Sequence, residues 1–119
     1  MATREKIHEV ALDHYDAVVE PLREAYETAK KKLAKAEKVL EKARREDRRA
    51  MKEEELADEV GAIPSQEYLD MWQKIHDAFD AAMEAYEVAE AEKDKALDAY
   101  MLGERLAYHG YEAARTSEF

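Results

Sequence analysis

The stretch Ala29-Lys-Lys-Lys-Leu33-Ala-Lys-Ala36-Glu-Lys-Val-Leu40-Glu-Lys-Ala43 decides the fold, because alanine and leucine alternate in it at intervals of four and three residues. This spacing places the apolar side chains along one face of an α-helix and is typical of a coiled-coil seam. The alanine series continues at seven-residue intervals to Ala50 and Ala57. The stretch therefore predicts one long helix whose narrow apolar face packs against a partner helix.

A second ladder of small residues has the same seven-residue interval and comprises Ala82, Ala89, Ala96, Gly103 and Gly110. Between the ladders, Gly61 suits the left-handed position that often ends a helix, and Pro64-Ser65 suits the start of the next one. We predict an all-α fold in which residues 1–119 form a single domain, a long antiparallel two-helix coiled-coil hairpin with an alanine-rich seam. Its parts are a first arm over 3–60, a turn over 61–65 and a second arm over 66–115.

The ladders and the turn together predict a register. A turn centred between Ala62 and Ile63 pairs positions whose numbers sum to 125. The alanine pairs expected at the seam are Ala29/Ala96, Ala36/Ala89 and Ala43/Ala82. The same sum opposes a large residue to a small one in Leu22/Gly103 and Tyr15/Gly110. Small side chains at these points let two helix axes approach to about 8 Å.

Pro21 interrupts the helical pattern of the first arm. Proline removes one backbone donor and crowds the preceding turn. Neither Val19 nor Glu20 is a favourable N-cap residue, so a new helix is not expected to start here. We predict a kink near Pro21 and not a break.

Composition excludes several classes of function. The chain has no cysteine, which excludes a disulfide framework and a thiolate metal site. The formal charge of −10 argues against direct nucleic-acid binding, which needs positive surface. No apolar run approaches the roughly 20 residues that cross a bilayer, and Met1–Lys6 leads into no signal-peptide core. We expect a cytoplasmic protein with no membrane contact, and no small-molecule substrate is evident.

Charge is distributed unevenly along the predicted arms. Residues 30–49 contain ten basic and four acidic residues, whereas acidic residues dominate 76–95. The predicted register places these two segments opposite each other. We therefore expect the basic segment to be neutralised by the second arm, in preference to binding phosphate.

The histidines offer two candidate metal sites. Glu5-x-x-His8 matches half of a four-helix di-iron motif, which needs a second such motif and two further inward glutamates. In the predicted register, His14 and His109 lie near one another and could share Zn²⁺. No residues are placed to complete the di-iron motif, and packing of two interfacial histidines at the base of the hairpin is the preferred interpretation of His14 and His109. We therefore predict no catalytic residue, no metal ligand and no cofactor. A metal-dependent dimer forming a four-helix bundle remains an alternative.

The predicted turn is flanked by an acidic tip, which comprises Glu53, Glu54, Glu55, Asp58 and Glu59. In shape and charge, a hairpin with such a tip resembles the transcript-cleavage and secondary-channel factors of bacterial RNA polymerase. That resemblance implies tip carboxylates acting on an active-site Mg²⁺, a cation that prefers oxygen ligands. It gives an alternative function, a regulator that inserts its acidic tip into a larger machine.

The open end of the predicted hairpin is apolar over more of the helix circumference than one seam needs. The residues concerned are Ile7, Leu12, Tyr15 and Val18 on the first arm and Leu97, Tyr100, Met101, Leu102, Leu106, Tyr108 and Tyr111 on the second. Helices that are apolar over a wide arc have more than one packing partner. We predict a non-enzymatic interaction or assembly protein that binds a protein partner or a second copy through this surface. Small accessory proteins of viruses and mobile elements often have this architecture.

Overall fold

A computed structural model describes residues 3–116 and confirms the all-α hairpin: 94% of this range is helical, and the range contains no strand. Helix α1 spans Arg4–Glu59 and helix α2 spans Gln66–Thr116. The predicted arms, 3–60 and 66–115, agree with these helices to within one residue at each end. Residues 1–2 and 117–119 of the predicted domain lie outside the described residues.

Both helices begin at a hydroxyl residue that caps the first turn. The backbone N–H of Lys6 donates to Oγ1 of Thr3 at 3.2 Å, and the backbone N–H of Tyr68 donates to Oγ of Ser65 at 3.3 Å. Each bond satisfies one of the amide groups that a helix start leaves without a partner. Ser65 therefore fixes where α2 begins, as the Pro64-Ser65 pair predicts.

The turn that ends α1 is a Schellman motif centred on Gly61. Gly61 has a φ of +69°, in the left-handed region that favours glycine. Its N–H donates to the carbonyl of Asp58 at 3.2 Å, and the N–H of Ala62 donates to the carbonyl of Ala57 at 2.9 Å. These two bonds satisfy carbonyls that the helix end would otherwise leave unpaired.

Pro21 lies inside α1 without ending it. Because proline has no N–H, the carbonyl of Ala17 lacks its usual donor four residues later. The next turns stay helical, which confirms that the proline does not break the helix. The kink angle at Pro21 stays a prediction.

Contacts divide the chain into two compact units, each built from a stretch of both helices. In the turn unit, residues 32–90, the core consists of Leu40, Ala43 and Ala82, with Phe79, Met83 and Tyr86 packed against it. The predicted Ala43/Ala82 pair lies in this cluster, so the register is confirmed here. Because the two alanine side chains are small, the larger residues on either side can pack closely.

In the terminal unit, described over 3–31 and 91–116, the seam contains one point where a side chain packs closely on a glycine and, next to it, a pair of stacked rings. A Cβ built on Gly103 would collide with Cδ1 of Leu22, which confirms the predicted Leu22/Gly103 pair. One turn away, the Tyr26 and Tyr100 rings stack with centroids 6.1 Å apart. The predicted contact of Tyr15 with Gly110 is not formed.

Tyr15 turns towards a different neighbour. Apart from Gly110, its chain neighbours and the backbone of its own helix, no described atom lies within 4 Å of the position that a Cβ on Gly110 would take. The Tyr15 ring instead approaches the Tyr111 ring, with centroids 6.3 Å apart. Two aromatic rings in contact gain more than a ring against a bare glycine, which explains the difference.

Among the described residues, the basic segment 30–49 does not form the ion pairs with the second arm that its charge predicts. Within each unit, no Lys or Arg of 30–49 lies within 4.0 Å of a carboxylate of α2 among the described residues. Lys30 pairs with Glu27 on its own helix. The reason is the position of the basic residues around α1, since most of them lie on the side of the helix away from the seam.

The two glycines of α2 should respond differently to alanine. Gly110→Ala meets open space and should raise the free energy of unfolding by up to about 1 kcal/mol, the usual gain for alanine in a helix. Gly103→Ala makes the same gain but must displace Leu22, so its melting temperature should be lower than that of Gly110→Ala. Thermal unfolding followed by circular dichroism measures both. An equal increase in the two variants would contradict the close packing of Leu22 on Gly103.

Candidate partner interface

The residues predicted as a partner interface all lie in the terminal unit, but they divide into two groups. Leu12, Val18, Met101, Leu102, Leu106 and Tyr108 are exposed. Ile7, Tyr15, Leu97, Tyr100 and Tyr111 are half-buried. The first group is exposed to solvent, whereas Tyr15, Tyr100 and Tyr111 of the second group contact side chains of the opposite helix. Val10, which is 62% exposed, belongs with the first group.

Tyr111 is the centre of the half-buried group. Its hydroxyl is hydrogen-bonded to Nε2 of His8 at 2.9 Å, and the two rings meet edge to face with centroids 5.2 Å apart. The Tyr108 ring lies 6.5 Å from the Tyr111 ring on the same helix. Tyr111 therefore joins α1 to α2 at a point where the alanine seam has ended.

The electrostatics of the tyrosines follow from their surroundings. Burial, and then the nearby carboxylate of Glu104, raise the pKa of Tyr15 because both disfavour a phenolate. A hydrogen bond to Glu112 is the main cause of the raised pKa of Tyr108. Both hydroxyls therefore stay neutral at physiological pH, and the surface has aromatic character without negative charge from the rings.

An open apolar groove of about 510 Å³ lies beside Tyr111 in this unit. Its lining residues are Lys6, Ile7, Val10, Ala11, His14, Gly110, Tyr111 and Ala114. Gly110 contributes to its depth, because no side chain fills the space above it. The groove has the shape and chemistry to receive apolar side chains from another molecule.

On α2 the exposed apolar side chains form a ridge, defined here as Met101, Leu102 and Leu106. They are 51%, 55% and 62% exposed. Leu102 and Leu106 are four residues apart and are therefore neighbours on the helix surface. Leu102 and Leu106 together therefore expose a contiguous apolar patch, and Met101 adds apolar surface beside it.

The acidic tip is partly occupied by contacts within the turn unit. Nε1 of Trp72 donates to a carboxylate oxygen of Glu53 at 3.0 Å, and Nε2 of His76 is hydrogen-bonded to Glu54 at 2.9 Å. Glu55, Asp58 and Glu59 are exposed. The five acids predicted as one tip therefore separate into two that hold α2 and three that face solvent.

Sequence reasoning missed the most polar cross-helix contact, the His76 clasp, which consists of His76, Asp47 and Glu54. The two ring nitrogens of His76 contact different carboxylates, Nδ1 that of Asp47 and Nε2 that of Glu54. Hydrogen bonds to Glu54 and then to Asp47 raise the pKa of His76 above its usual 6.5. An imidazolium, which donates from both nitrogens, suits this arrangement.

A signal for the His76 clasp is present in the sequence. Asp47 and Glu54 are seven residues apart and replace leucine in the seam position that Leu33 and Leu40 occupy. Positions summing to 125 place the midpoint of the two acids opposite residues 74 and 75, next to His76. Two carboxylates at a seam need a cation opposite them, and the sequence offers Lys74 and His76 at that height.

The histidines considered as metal ligands have other neighbours. His8 contacts Tyr111, His14 lines the apolar groove, and the His109 ring lies 6.4 Å from the Tyr108 ring. Within residues 3–116, no group of three His, Asp or Glu side chains is placed to hold a metal ion. The His76 clasp is no exception, because its carboxylates lie at opposite ring nitrogens and do not converge on one point.

Comparisons with family models, curated proteins and solved structures gave no match to this chain. The function proposed below is accordingly argued from the chain's own residues. Over the described residues, neither helix has an apolar segment of the length and hydropathy that a bilayer crossing requires.

The His76 clasp should make stability depend on pH. Since the folded pKa is raised above 6.5, the stabilising contribution is complete below that value and is lost as pH rises through the folded pKa. Urea unfolding at a series of pH values should therefore show a fall in stability across this window. His76→Gln should lack that fall, whereas His109→Gln should keep it. The same pH dependence in His76→Gln as in the unmodified chain would contradict the assignment.

Proposed function

We propose that this chain is a non-enzymatic interaction or assembly protein that binds a protein partner through the apolar surface of its terminal unit. One observation carries the proposal: an apolar groove and an exposed apolar ridge occur in the same unit, beyond what the seam between α1 and α2 buries. Surfaces of this kind are uncommon on isolated helices unless they have a binding role.

The energetics favour coverage of this surface. Burying one exposed leucine or methionine contributes about 1.5–3 kcal/mol. The ridge supplies Met101, Leu102 and Leu106, and Val10 stands exposed at the groove. Several such side chains in one interface offset the loss of translational freedom that association costs.

The polar groups of the terminal unit support a structural role. Tyr111 is hydrogen-bonded to His8, and Arg23 donates to the hydroxyl of Tyr100 at 3.4 Å. Arg23 also pairs with Glu20 on its own helix at 3.0 Å. These groups satisfy one another, an arrangement that fixes ring positions and leaves the neighbouring apolar surface as the means of recognition.

A second copy of the chain is the simplest partner. A two-fold axis would bring the same surface of both copies together, and four helix segments around one core would form a bundle. Such a bundle buries the wide apolar arc that a two-helix seam leaves outside. The contacts of Glu53 and Glu54 with α2 give no comparable support to the acidic tip as a regulatory probe.

The proposal is tested by light scattering coupled to size exclusion. The unmodified chain should elute with a mass of at least twice 13.7 kDa at high micromolar concentration, or should recover a partner protein from its host. Leu102→Asp combined with Leu106→Asp should abolish that association while the helical circular dichroism signal is retained.

The matched control replaces two exposed apolar residues in the turn. Val60→Asp combined with Ile63→Asp makes the same chemical change at side chains that are 76% and 95% exposed. This variant should associate as the unmodified chain does. A stable monomer with no recovered partner, or equal losses in both double variants, would refute the proposal.

A further inference from the structure

The turn unit has a basic stripe on α1, defined here as Lys35, Lys38, Lys42, Arg45, Arg49 and Lys52. Successive members are separated by three, four, three, four and three residues, a spacing that places all six on one face of the helix. All six are exposed. Lys38 lies midway between the seam residues Ala36 and Leu40, about 160–200° around the helix from either, so the stripe faces away from α2.

Helix α2 has an acidic stripe with the same geometry, defined here as Asp70, Gln73, Asp77, Asp80, Glu84 and Glu87. The separations are again three, four, three, four and three residues, and Gln73 is the one uncharged member. All six are exposed. Glu84 lies midway between the seam residues Ala82, which is buried, and Tyr86, which is partly buried, so this stripe faces away from α1.

Neither stripe is neutralised within the turn unit. Among the described residues, no member of either stripe lies within 4.0 Å of an opposite charge. Asp70 and Asp77 accept hydrogen bonds of 2.9 Å from Gln66 and Gln73 on their own helix, which leaves their charges unpaired. The charges of the two stripes therefore have no ion-pair partners among the described residues of the hairpin, and both stripes face outward.

We infer that the basic stripe of one copy binds the acidic stripe of a second copy. Both stripes span 18 residues at the same intervals, so every basic position can meet a position of the other stripe in one straight pairing. Side-by-side placement of two identical hairpins brings α1 of one next to α2 of the other in antiparallel orientation. Lys35 then faces Glu87, and Lys52 faces Asp70.

This interface is heterologous, because the two molecules contribute different surfaces to it. In a pair, one copy uses its basic stripe and keeps its acidic stripe free, and the other copy does the reverse. Further copies can therefore bind at either side, to give a row or a closed ring. A polyanion such as nucleic acid would use the basic stripe alone. The formal charge of −10 and the matched acidic stripe favour the second copy.

Salt separates this contact from the apolar interface proposed above, on which it does not depend. Exposed ion pairs are individually weak and are screened as the Debye length falls from about 30 Å at 0.01 M salt to about 3 Å at 1 M. Apolar association is not weakened by salt in this way. A decrease in the average mass of the protein in solution from low to high salt therefore measures the contact between the stripes.

Charge reversal tests the inference by sedimentation velocity in low and high salt. Lys38→Glu with Lys42→Glu and Arg45→Glu puts acid opposite acid at three of the six paired positions, and Asp77→Lys with Asp80→Lys and Glu84→Lys puts base opposite base at the same three. Each variant alone should lose salt-sensitive self-association, with the association constant reduced more than about tenfold. An equimolar mixture should recover it, since each stripe again meets its opposite.

The control applies elsewhere the same change of net charge as the reversal of the basic stripe: Arg4→Glu with Lys74→Glu and Lys95→Glu should keep salt-sensitive association. If a reversed variant loses helical signal, Lys38→Gln with Lys42→Gln and Arg45→Gln replaces it and should also weaken association. Three results would overturn the inference: self-association of the unmodified chain that is insensitive to salt, a mixture that fails to recover it, or loss only of binding to a DNA or RNA oligonucleotide.

Discussion

The close approach of two helix backbones at small residues is the constraint on which the rest of this structure depends. Five of the eight buried residues in the described range are alanines, Ala29, Ala43, Ala50, Ala82 and Ala89. A methyl group removes little apolar area from water, so these positions stabilise the fold mainly by allowing many dispersion contacts between the helices. The larger residues that accompany them, such as Val19 and Leu40, can be buried only because the alanines bring the backbones together.

The same constraint explains what replaces the apolar seam nearer the turn. At the position held by Leu33 and Leu40, α1 continues with Asp47 and Glu54, which cannot be buried as unpaired charges. His76 accommodates both, one at each ring nitrogen. Charge-assisted hydrogen bonds are directional, so the bonds of His76 fix the register of the two helices in this part of the seam. Along the alanine ladder, close packing of small side chains fixes it. One turn away, the hydrogen bond that Trp72 donates to Glu53 is a second directional contact between the helices.

The sequence predicts what depends on spacing and misses what depends on the direction of individual side chains. Gly61 and Ser65 fix the turn through backbone chemistry, so the helix bounds and the Leu22/Gly103 register follow from counting. Tyr15 could not be placed in the same way, because an aromatic ring reaches several neighbours and selected Tyr111. The opposed charges of the two arms were expected to meet across the seam. Many of these charged residues lie two positions along the helix from a seam residue, which places them on the opposite face. They therefore face outward and do not meet across the seam.

A seam this narrow leaves most of each helix surface outside the hairpin, and the chain uses that surface differently in its two units. The terminal unit presents apolar side chains, such as Leu102 and Leu106, and removal of surface from water drives the association proposed for them. The turn unit presents ordered charge, such as Lys42 and Asp80, and Coulomb attraction, which salt weakens, drives the association proposed for that charge. Since the two forces respond in different ways to ionic strength, the medium can change one contact and leave the other intact. Salt therefore separates the two proposals physically, since the proposed apolar contact persists at an ionic strength that releases the proposed charged one.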